Sequence, residues 1–328
     1  MRRQDALRRA VFETEDHSDI QPAHQSSPFA SDDAPTCRFV PAAPSGTSAK
    51  FDCVVEGGEI LKVKYGRNPE IHAETAATAL LRMLGYPADR VTIVPRLRCY
   101  GCPRFPFLVS YLEDVFSLPL RGADDRDGFA EFEWVSVEQR FPAPSIETED
   151  QKGWSWWELD RSLAPRADVD ALRLTAMFLA HWDNKGENQR LVCLDGPPPG
   201  PNAHCERPLA LIQDVGATFG PSKVNLARWR NMPVWRDRAS CTISMAAFPF
   251  AGASFPDARI SEAGRAKLAA RLTAIADADV ARVFTDARFP QFQVGTDDEG
   301  DLKAWVEAFR YRADQIVNVH CPGAGEQT

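Results

Sequence analysis

Long apolar runs and a surplus of positive charge are both missing from this sequence. No stretch approaches the roughly 18 consecutive apolar residues that a membrane-spanning helix requires, although 44% of the 328 residues are hydrophobic. Acidic residues outnumber basic residues by 46 to 38, which gives a formal net charge of −8. A nucleic-acid-binding protein would present a basic face instead. These absences predict a globular chain with no membrane span and no nucleic-acid partner.

A secretory signal is also missing from the start of the chain. Residues Met1–Arg9 are basic, but no apolar stretch of the kind found in signal peptides follows them. On this ground alone, the expected location is cytoplasmic by default.

The cysteines favour the opposite location. The chain has 8 of them, and six form local pairs: Cys37/Cys53, Cys99/Cys102 and Cys193/Cys205. Two pairs bracket loops rich in Gly, Ser or Pro, so their Cα atoms can approach to the separation that a disulfide needs. Disulfides would indicate an oxidising, extracytoplasmic compartment. A zinc site that includes Cys99 and Cys102, or free thiols, are the alternatives.

The first ordered elements are predicted just after a polar beginning. Residues 1–36 lack sustained periodicity and are expected to form a mobile tail with one short helix at Asp5–Phe12. Phe51–Val55 and Glu59–Tyr65 are typical of two strands, and Gly57-Gly58 between them predicts a hairpin turn.

A helix with a well-marked start should follow the hairpin. Asn68 can cap it, Pro69 suits its first position, and Gly85 is expected to end it. Its apolar face consists of Ala73, Ala77, Leu80, Leu81 and Leu84. Val91–Pro95 and Phe107–Leu112 are predicted to be further strands.

The remaining chain is predicted to be mainly helical. Val169–Ala180 is apolar almost all round, which indicates burial on several sides. The pattern therefore predicts an α+β chain with a strand-rich part and a helical part, and it shows no internal repeat. The predicted boundaries are a tail at 1–36, the strand-rich part at 37–114, a connector or insertion at 115–157, the helical part at 158–320 and a tail at 321–328.

The densest group of chemically active side chains follows the buried helix. His181 stands at its end, and Asp183, Lys185 and Asn188 come next; after two short apolar strands the chain reads Asp214-Val-Gly. This order resembles the catalytic loop and the metal-binding Asp-Phe-Gly of protein kinases. His181 is expected to support the loop structurally and not to act as a base.

The resemblance implies a bilobal protein-kinase-like fold with a β-rich N-lobe and a mainly helical C-lobe. It also implies roles in phosphoryl transfer from ATP, which depends on positioning and on neutralising charge. Asp183 would accept or orient the proton of the acceptor hydroxyl, and Lys185 would lie near the transferred group. Asn188 and Asp214 would hold Mg²⁺ or Mn²⁺ through oxygen atoms.

Upstream residues occur in the order that the resemblance requires. Lys62 and Lys64 point to the same side of a strand, because side chains alternate along it. One of them should contact the ATP phosphates and pair with Glu74 of the capped helix; the similarity of Ile60-Leu-Lys62 to HipA-like and phosphoinositide-kinase-like strands favours Lys62 over Lys64. The segment 45–50 resembles the short phosphate-covering loop of HipA-like kinases, and its candidate ATP-binding residues are Gly46, Thr47 and Ser48.

Two departures favour an atypical branch of that superfamily. Trp182 replaces the arginine of many kinases, and no Ala-Pro-Glu follows Gly216. The predicted function is an ATP-dependent phosphotransferase that acts on a hydroxyl of a protein or a small molecule. The alternatives are a pseudokinase that senses nucleotide or binds proteins, an AMP transferase on the same fold, and a secreted binding domain stabilised by zinc or disulfides.

Overall fold

The structure is a computed structural model. It describes residues 3–13, 35–42, 46–117, 128–147, 152–196, 205–222, 224–249, 255, 257–289 and 302–322. Within these ranges, no helix combines the length and the apolar character that crossing a bilayer would demand.

The strand-rich part is a closed barrel of five strands. They are β1 (Thr36–Val40), β2 (Lys50–Val54), β3 (Ile60–Lys64), β4 (Arg90–Tyr100) and β5 (Phe129–Gln139), in the order β1-β2-β3-β5-β4. The β1–β4 pairing is parallel, and the other pairings are antiparallel. The predicted β2–β3 hairpin is confirmed: Gly57 and Gly58 adopt φ values of 100° and 86° in its turn, a region that glycine enters without steric cost.

Alternation along β3 separates an apolar side from a charged side. Leu61 and Val63 are fully buried in the barrel core, so Lys62 and Lys64 lie on the opposite side of the strand. This arrangement directs both lysines away from the barrel interior and toward the helix that follows.

That helix is α2 (Pro69–Met83), and its predicted start and end are confirmed. The side chain of Asn68 accepts a hydrogen bond of 3.0 Å from the backbone N–H of Glu70. Gly85 has a φ of 84° just after the helix, which is typical of a helix terminus. Its buried apolar residues belong to the core of the helical part, while the helix also lies against β4 and β5 of the barrel.

The helical part surrounds α4 (Arg166–Leu179), whose residues are all buried from Val169 onward. The other elements of this part are β6 (Gln189–Cys193), β7 (Pro208–Ile212), α5 (Leu226–Asn231), β8 (Thr242–Ser244), β9 (Asp257–Arg259), α6 (Glu262–Ala274), α7 (Asp277–Asp286) and α8 (Leu302–Val317). β6 and β7 form an antiparallel hairpin, as do β8 and β9.

Two predicted elements are corrected. Phe107–Leu112, which we expected to be a strand, lies in α3 (Pro106–Phe116). A short apolar run does not distinguish a strand from a helix by its periodicity, whereas Pro106 at the first helical position favours the helix. The segment expected to be a connector at 115–157 contains β5, which lies between β3 and β4 in the barrel.

The two predicted tails also contain packed residues. Helix α1 (Arg3–Arg9) buries Ala6 and Leu7 against the helical part, while residues 14–34 lie outside the described ranges. Near the other end, Cys321 is buried and bonded to Cys241, and residues 323–328 are not described.

All 8 cysteines are paired in disulfides. The three predicted pairs lie at disulfide distance, with Cα–Cα separations of 5.7, 5.5 and 5.8 Å for Cys37–Cys53, Cys99–Cys102 and Cys193–Cys205. The structure adds Cys241–Cys321, which joins positions 80 residues apart. Four disulfides are consistent with an oxidising compartment, and the zinc alternative for Cys99 and Cys102 is wrong because their sulfur atoms bond to each other.

Candidate functional site

The loop after α4 is held in shape by its own polar side chains. Helix α4 ends at Ala180, which has a left-handed φ of 56°. The side-chain amide of Asn184 donates to the carbonyl of His181 at 2.6 Å, and that of Asn188 donates to the carbonyl of Asp183 at 2.7 Å. The side chain of Asp183 is left half-buried, with Lys185 Nζ at 3.8 Å from its Oδ1.

His181 is buried directly beneath this loop. Its exposed fraction is 1%, and burial lowers the pKa of its imidazole to about 4 even though the carboxylate of Asp214 acts in the opposite direction. A neutral, buried imidazole is consistent with the structural role predicted for it.

The β6–β7 hairpin returns the chain to the loop and brings Asp214 beside it. The backbone N–H of Gln213 donates to the carbonyl of Asn188 at 3.1 Å, and that of Trp182 donates to the carbonyl of Ala217 at 3.3 Å. Asp214 itself has a φ of 50°, a conformation uncommon for residues other than glycine. The sequence motifs at 181–188 and 214–216 therefore meet in space.

Lys64 connects this pair of segments with α2. Its ammonium donates to Glu74 at 2.9 Å and to Asp214 Oδ1 at 3.1 Å. The side chains of Lys64 and Glu74 are only 3% and 2% exposed, whereas that of Asp214 is 37% exposed. A buried cation is thus held between a buried carboxylate and one that a ligand can reach.

Lys62 makes a different ion pair. We expected Lys62 in preference to Lys64 to pair with Glu74, but Lys62 pairs with Glu138 on β5, its neighbour in the β3–β5 register. The two lysines share one side of the strand, and only the position of α2 relative to β3 decides which of them reaches Glu74.

Burial and the neighbouring charges act in opposite directions on the pKa values of this site. Burial by itself would lower the pKa of Lys64, but the carboxylates of Glu74 and Asp214 outweigh it and raise that pKa above its usual value. Burial opposes ionisation of Asp214 as well, yet Lys64 and Lys62 hold its pKa well below the usual range. Burial raises the pKa of Glu74 to about 7 although Lys64 is adjacent.

Burial also raises the pKa of Asp183, with the neighbouring Lys185 acting in the opposite direction. A carboxylate whose pKa is raised is a better proton acceptor than an ordinary aspartate.

The segment that begins at Gly46 approaches the start of α2. Ser48 Oγ donates to a carboxylate oxygen of Glu70, and a Cβ placed on Gly216 would lie 3.1 Å from the Cβ of Glu70. Gly46 adopts a φ of 67°, and Thr47 is exposed. The segment 46–48 and the Asp214–Gly216 segment therefore approach the same turn of α2, while Ser45 lies outside the described residues.

The sequence did not single out Lys50 as a member of this site. It faces Lys64 across the β2–β3 pairing, and a Cβ on Gly46 would lie 3.3 Å from its Nζ. Burial, together with the charges of Lys64 and Lys62, lowers its pKa, although Asp214 acts in the opposite direction. Strand alternation applied to the whole hairpin, instead of β3 alone, would have found it.

Asn188 and Asp214 have the chemistry of a hard-cation site. The side-chain nitrogen of Asn188 donates to the backbone carbonyl of Asp183. The side-chain oxygen of Asn188 therefore faces away from that carbonyl. Asp214 bonds to Lys64 through Oδ1, so Oδ2 is the oxygen that can serve a ligand. Carboxylate and amide oxygens are the ligands that Mg²⁺ and Mn²⁺ use.

The other group with metal-ligand chemistry in the described ranges is Cys193, Asp195 and Cys205. Its two sulfur atoms form a disulfide, so it lacks the thiolates that a metal would need.

Comparison with known proteins gives similarity of structure without similarity of sequence. No protein-family model matches the chain, and no curated protein matches it. The Helicobacter pylori proinflammatory kinase CtkA is similar with a TM-score of 0.48 and 10% identity, over 86% of this chain and 95% of that one. A Golgi casein kinase with Mn/ADP bound gives a TM-score of 0.36 and 10% identity, over 86% of this chain and 71% of that one.

HipA, from the toxin–antitoxin complex of Shewanella oneidensis MR-1 with HipB and operator DNA, gives a TM-score of 0.35 and 11% identity, over 95% of this chain and 75% of that one.

Proposed function

We propose that this protein is an ATP-dependent phosphotransferase of the atypical protein-kinase-like kind, which moves the γ-phosphoryl group to a hydroxyl acceptor. The observation that carries the proposal is the buried Lys64 ammonium, which lies between Glu74 and Asp214. Burying an ammonium and its carboxylate partners costs desolvation free energy, which favours a functional role for this group over a purely stabilising one. An ammonium forms strong, charge-assisted hydrogen bonds with the phosphates of a nucleotide.

The nucleotide would bind between the barrel and the helical part, which we assign as N-lobe and C-lobe of a bilobal fold. In this assignment the N-lobe consists of β1–β5 with α2 and α3, and the C-lobe of the elements from α4 onward. Ser48 and Gly216 both lie against Glu70 at the start of α2, so the segment 46–48 would border the exposed face of Asp214. Lys64 would contact the phosphates, Gly46, Thr47 and Ser48 would cover them, and Lys62 would support the site through its pair with Glu138.

Asp183 would accept or orient the proton of the acceptor hydroxyl, and Lys185 would lie near the transferred group. The raised pKa of Asp183 supports this role, as does the exposure of about half of the Lys185 side chain, at 45%. A divalent cation, Mg²⁺ or Mn²⁺, would be held by Asn188 and Asp214 and would neutralise charge on the phosphates. The chain itself contributes the alignment of the acceptor and the fixed charges around the nucleotide.

We infer from the four disulfides that the protein works in an oxidising, extracytoplasmic compartment. Its substrate would then be a protein or small molecule that carries a hydroxyl group in that compartment.

A labelled-nucleotide assay tests this proposal. Purified protein is incubated with Mg²⁺ or Mn²⁺ and with ATP labelled at either the γ or the α phosphate, in the presence of candidate acceptors. Transfer of γ label that is abolished in Asp183→Ala and Asp214→Ala supports the phosphotransferase. Transfer of α label would replace it with the AMP transferase, and nucleotide binding without transfer of either label would replace it with the pseudokinase.

A further inference from the structure

The N-terminal helix reaches the segment that lies under the catalytic loop. The guanidinium of Arg3 donates to the carbonyl of Gly153 at 2.8 Å and forms a two-point pair with Glu158, each bond 2.9 Å long. The side chains of Arg3 and Glu158 are only 10% and 12% exposed. Planar, two-point pairs of this kind fix geometry as well as adding stability.

The partners of Arg3 belong to a 3₁₀ helix, Trp156–Arg161, and to the turn before it. Ser155 and Glu158 form a reciprocal capping box at the start of this helix. One carboxylate therefore serves both Arg3 and the backbone of Ser155. Loss or displacement of the Arg3 side chain would therefore remove contacts that hold the turn 153–155 in place.

This turn is in direct contact with the catalytic loop. Gly153 has a φ of 59°, and a Cβ placed on it would overlap the carbonyl oxygen of Gly186 and lie 2.6 Å from that of Gln189. The indole N–H of Trp156 donates to the carbonyl of Asn184 at 3.0 Å. Gly186 and Asn184 stand between or beside the proposed functional residues Asp183, Lys185 and Asn188.

We propose that Arg3 is a positioning residue for the catalytic loop, which acts through Gly153 and the 3₁₀ helix at 156–161. The expected effect of Arg3 on turnover rests on the proposed function, whereas its expected effect on the mobility of the loop does not. Arg3 fixes the peptide that packs against Gly186 and the helix that holds Asn184. These contacts limit the freedom of Asp183 and Lys185 relative to a bound nucleotide.

The same helix offers a matched control. Arg9 pairs with Asp5 and donates to the carbonyl of Cys205 at 3.1 Å, in a part of the helical region that does not carry the catalytic loop. Arg3→Ala and Arg9→Ala each remove one arginine from α1. A general loss of helix packing would affect both variants alike.

The test measures turnover and loop dynamics in the full chain. We expect Arg3→Ala to lower kcat about tenfold, because small misplacements of reacting groups cost large factors in rate, while KM for ATP changes less than about twofold. Arg9→Ala should leave kcat within about twofold. In hydrogen–deuterium exchange, peptides that cover 181–189 should exchange faster in Arg3→Ala than in Arg9→Ala, and those from α8 should not differ. Arg3→Lys should restore part of kcat, and added guanidinium ion should partly rescue Arg3→Ala.

Equal kcat and equal loop exchange in the two alanine variants would overturn the inference. If Arg3→Ala does not fold, Glu158→Gln and Arg3→Lys are measured against Arg9→Ala. Both should then show a smaller loss of kcat and a smaller increase in exchange at 181–189. If the wild-type protein transfers no phosphoryl group, the proposed function fails, and the exchange comparison still decides whether Arg3 controls the loop.

Discussion

The barrel and the helical part are stabilised in different ways. The barrel core is small, and three of its buried members are the cysteines Cys37, Cys53 and Cys99, which take part in two disulfides with sequence separations of 16 and 3. The core of the helical part is much larger and rich in aromatic contacts around Phe219 and Trp305. Each part carries two disulfides. The barrel combines two short links with a small core, whereas the helical part combines a link across 80 residues with a much larger packed core.

Helix α2 crosses this division. It follows a barrel strand in sequence, but its buried residues join the larger core, and the ring of His72 bonds to the carbonyl of Ala287 just after α7 at 2.8 Å. The pair between Lys64 and Glu74 therefore links a barrel strand to a helix that packs with the helical part. The following predictions separate these contributions, beginning with the largest expected effect.

Removing Lys64 should abolish function while leaving the barrel folded. We expect Lys64→Met to lower kcat by about a thousandfold, because a charge placed at the phosphates acts in a buried site. Lys62→Met, on the same side of the same strand, should have an effect at least tenfold smaller. Steady-state kinetics of γ-phosphoryl transfer measure both, and equal losses would contradict the assignment of Lys64.

Removing a disulfide should destabilise the helical part more than the barrel. On the loop-entropy relation, the 80-residue separation of Cys241–Cys321 corresponds to about 4.5 kcal/mol of unfolding free energy, and the 16-residue separation of Cys37–Cys53 to about 3 kcal/mol. Urea unfolding of the two double serine variants tests this order. The reverse order would mean that packing in the helical part compensates for the lost link.

His181 should make stability depend on pH. Its pKa is lowered from 6.5 to about 4 in the folded protein, so between these values the unfolded chain binds a proton that the native protein does not. The free energy of unfolding should therefore fall by about 3 kcal/mol as the pH is lowered from about 6.5 to about 4. Well below pH 4, His181 is protonated in both states and should cause no further loss.

The variant His181→Gln should lose that dependence. His320→Gln serves as the control, because the side chain of His320 is 76% exposed. Chemical denaturation at a series of pH values measures all three proteins. Parallel curves for wild type and His181→Gln would show that another group causes the acid sensitivity.

The smallest effects should come from the helix caps. Asn68→Ala and Asn225→Ala each remove a side-chain acceptor from a helix N-terminus, on α2 and α5 respectively, and each should cost about 1 kcal/mol of stability. Only Asn68→Ala should also reduce kcat, because α2 carries Glu74. Thermal melts and kinetics together distinguish the two, and an equal loss of kcat would argue against a special role for α2.

Several fold elements around the candidate site could be predicted from local sequence because they obey local rules. The capped start of α2 depends on neighbouring residues, as does the glycine turn of the β2–β3 hairpin, and three of the four disulfides close short loops. The strand predicted at 107–112 was wrong because a short apolar run is compatible with either structure. β5 was missed because its contribution is its long-range pairing with β3 and β4.

The sequence by itself determined which chemistry is present: Asp183, Lys185, Asn188 and Asp214 in kinase-like order, and two lysines on one side of β3. Only the tertiary structure decided that Lys64 and not Lys62 meets Glu74, that Lys50 joins them, that Cys241 pairs with Cys321 and that Arg3 reaches Gly153. The physical reason is distance along the chain. Spacing of a few residues fixes which side chains share a face, but the packing of α2, of the barrel strands and of α1 decides which of those faces come into contact.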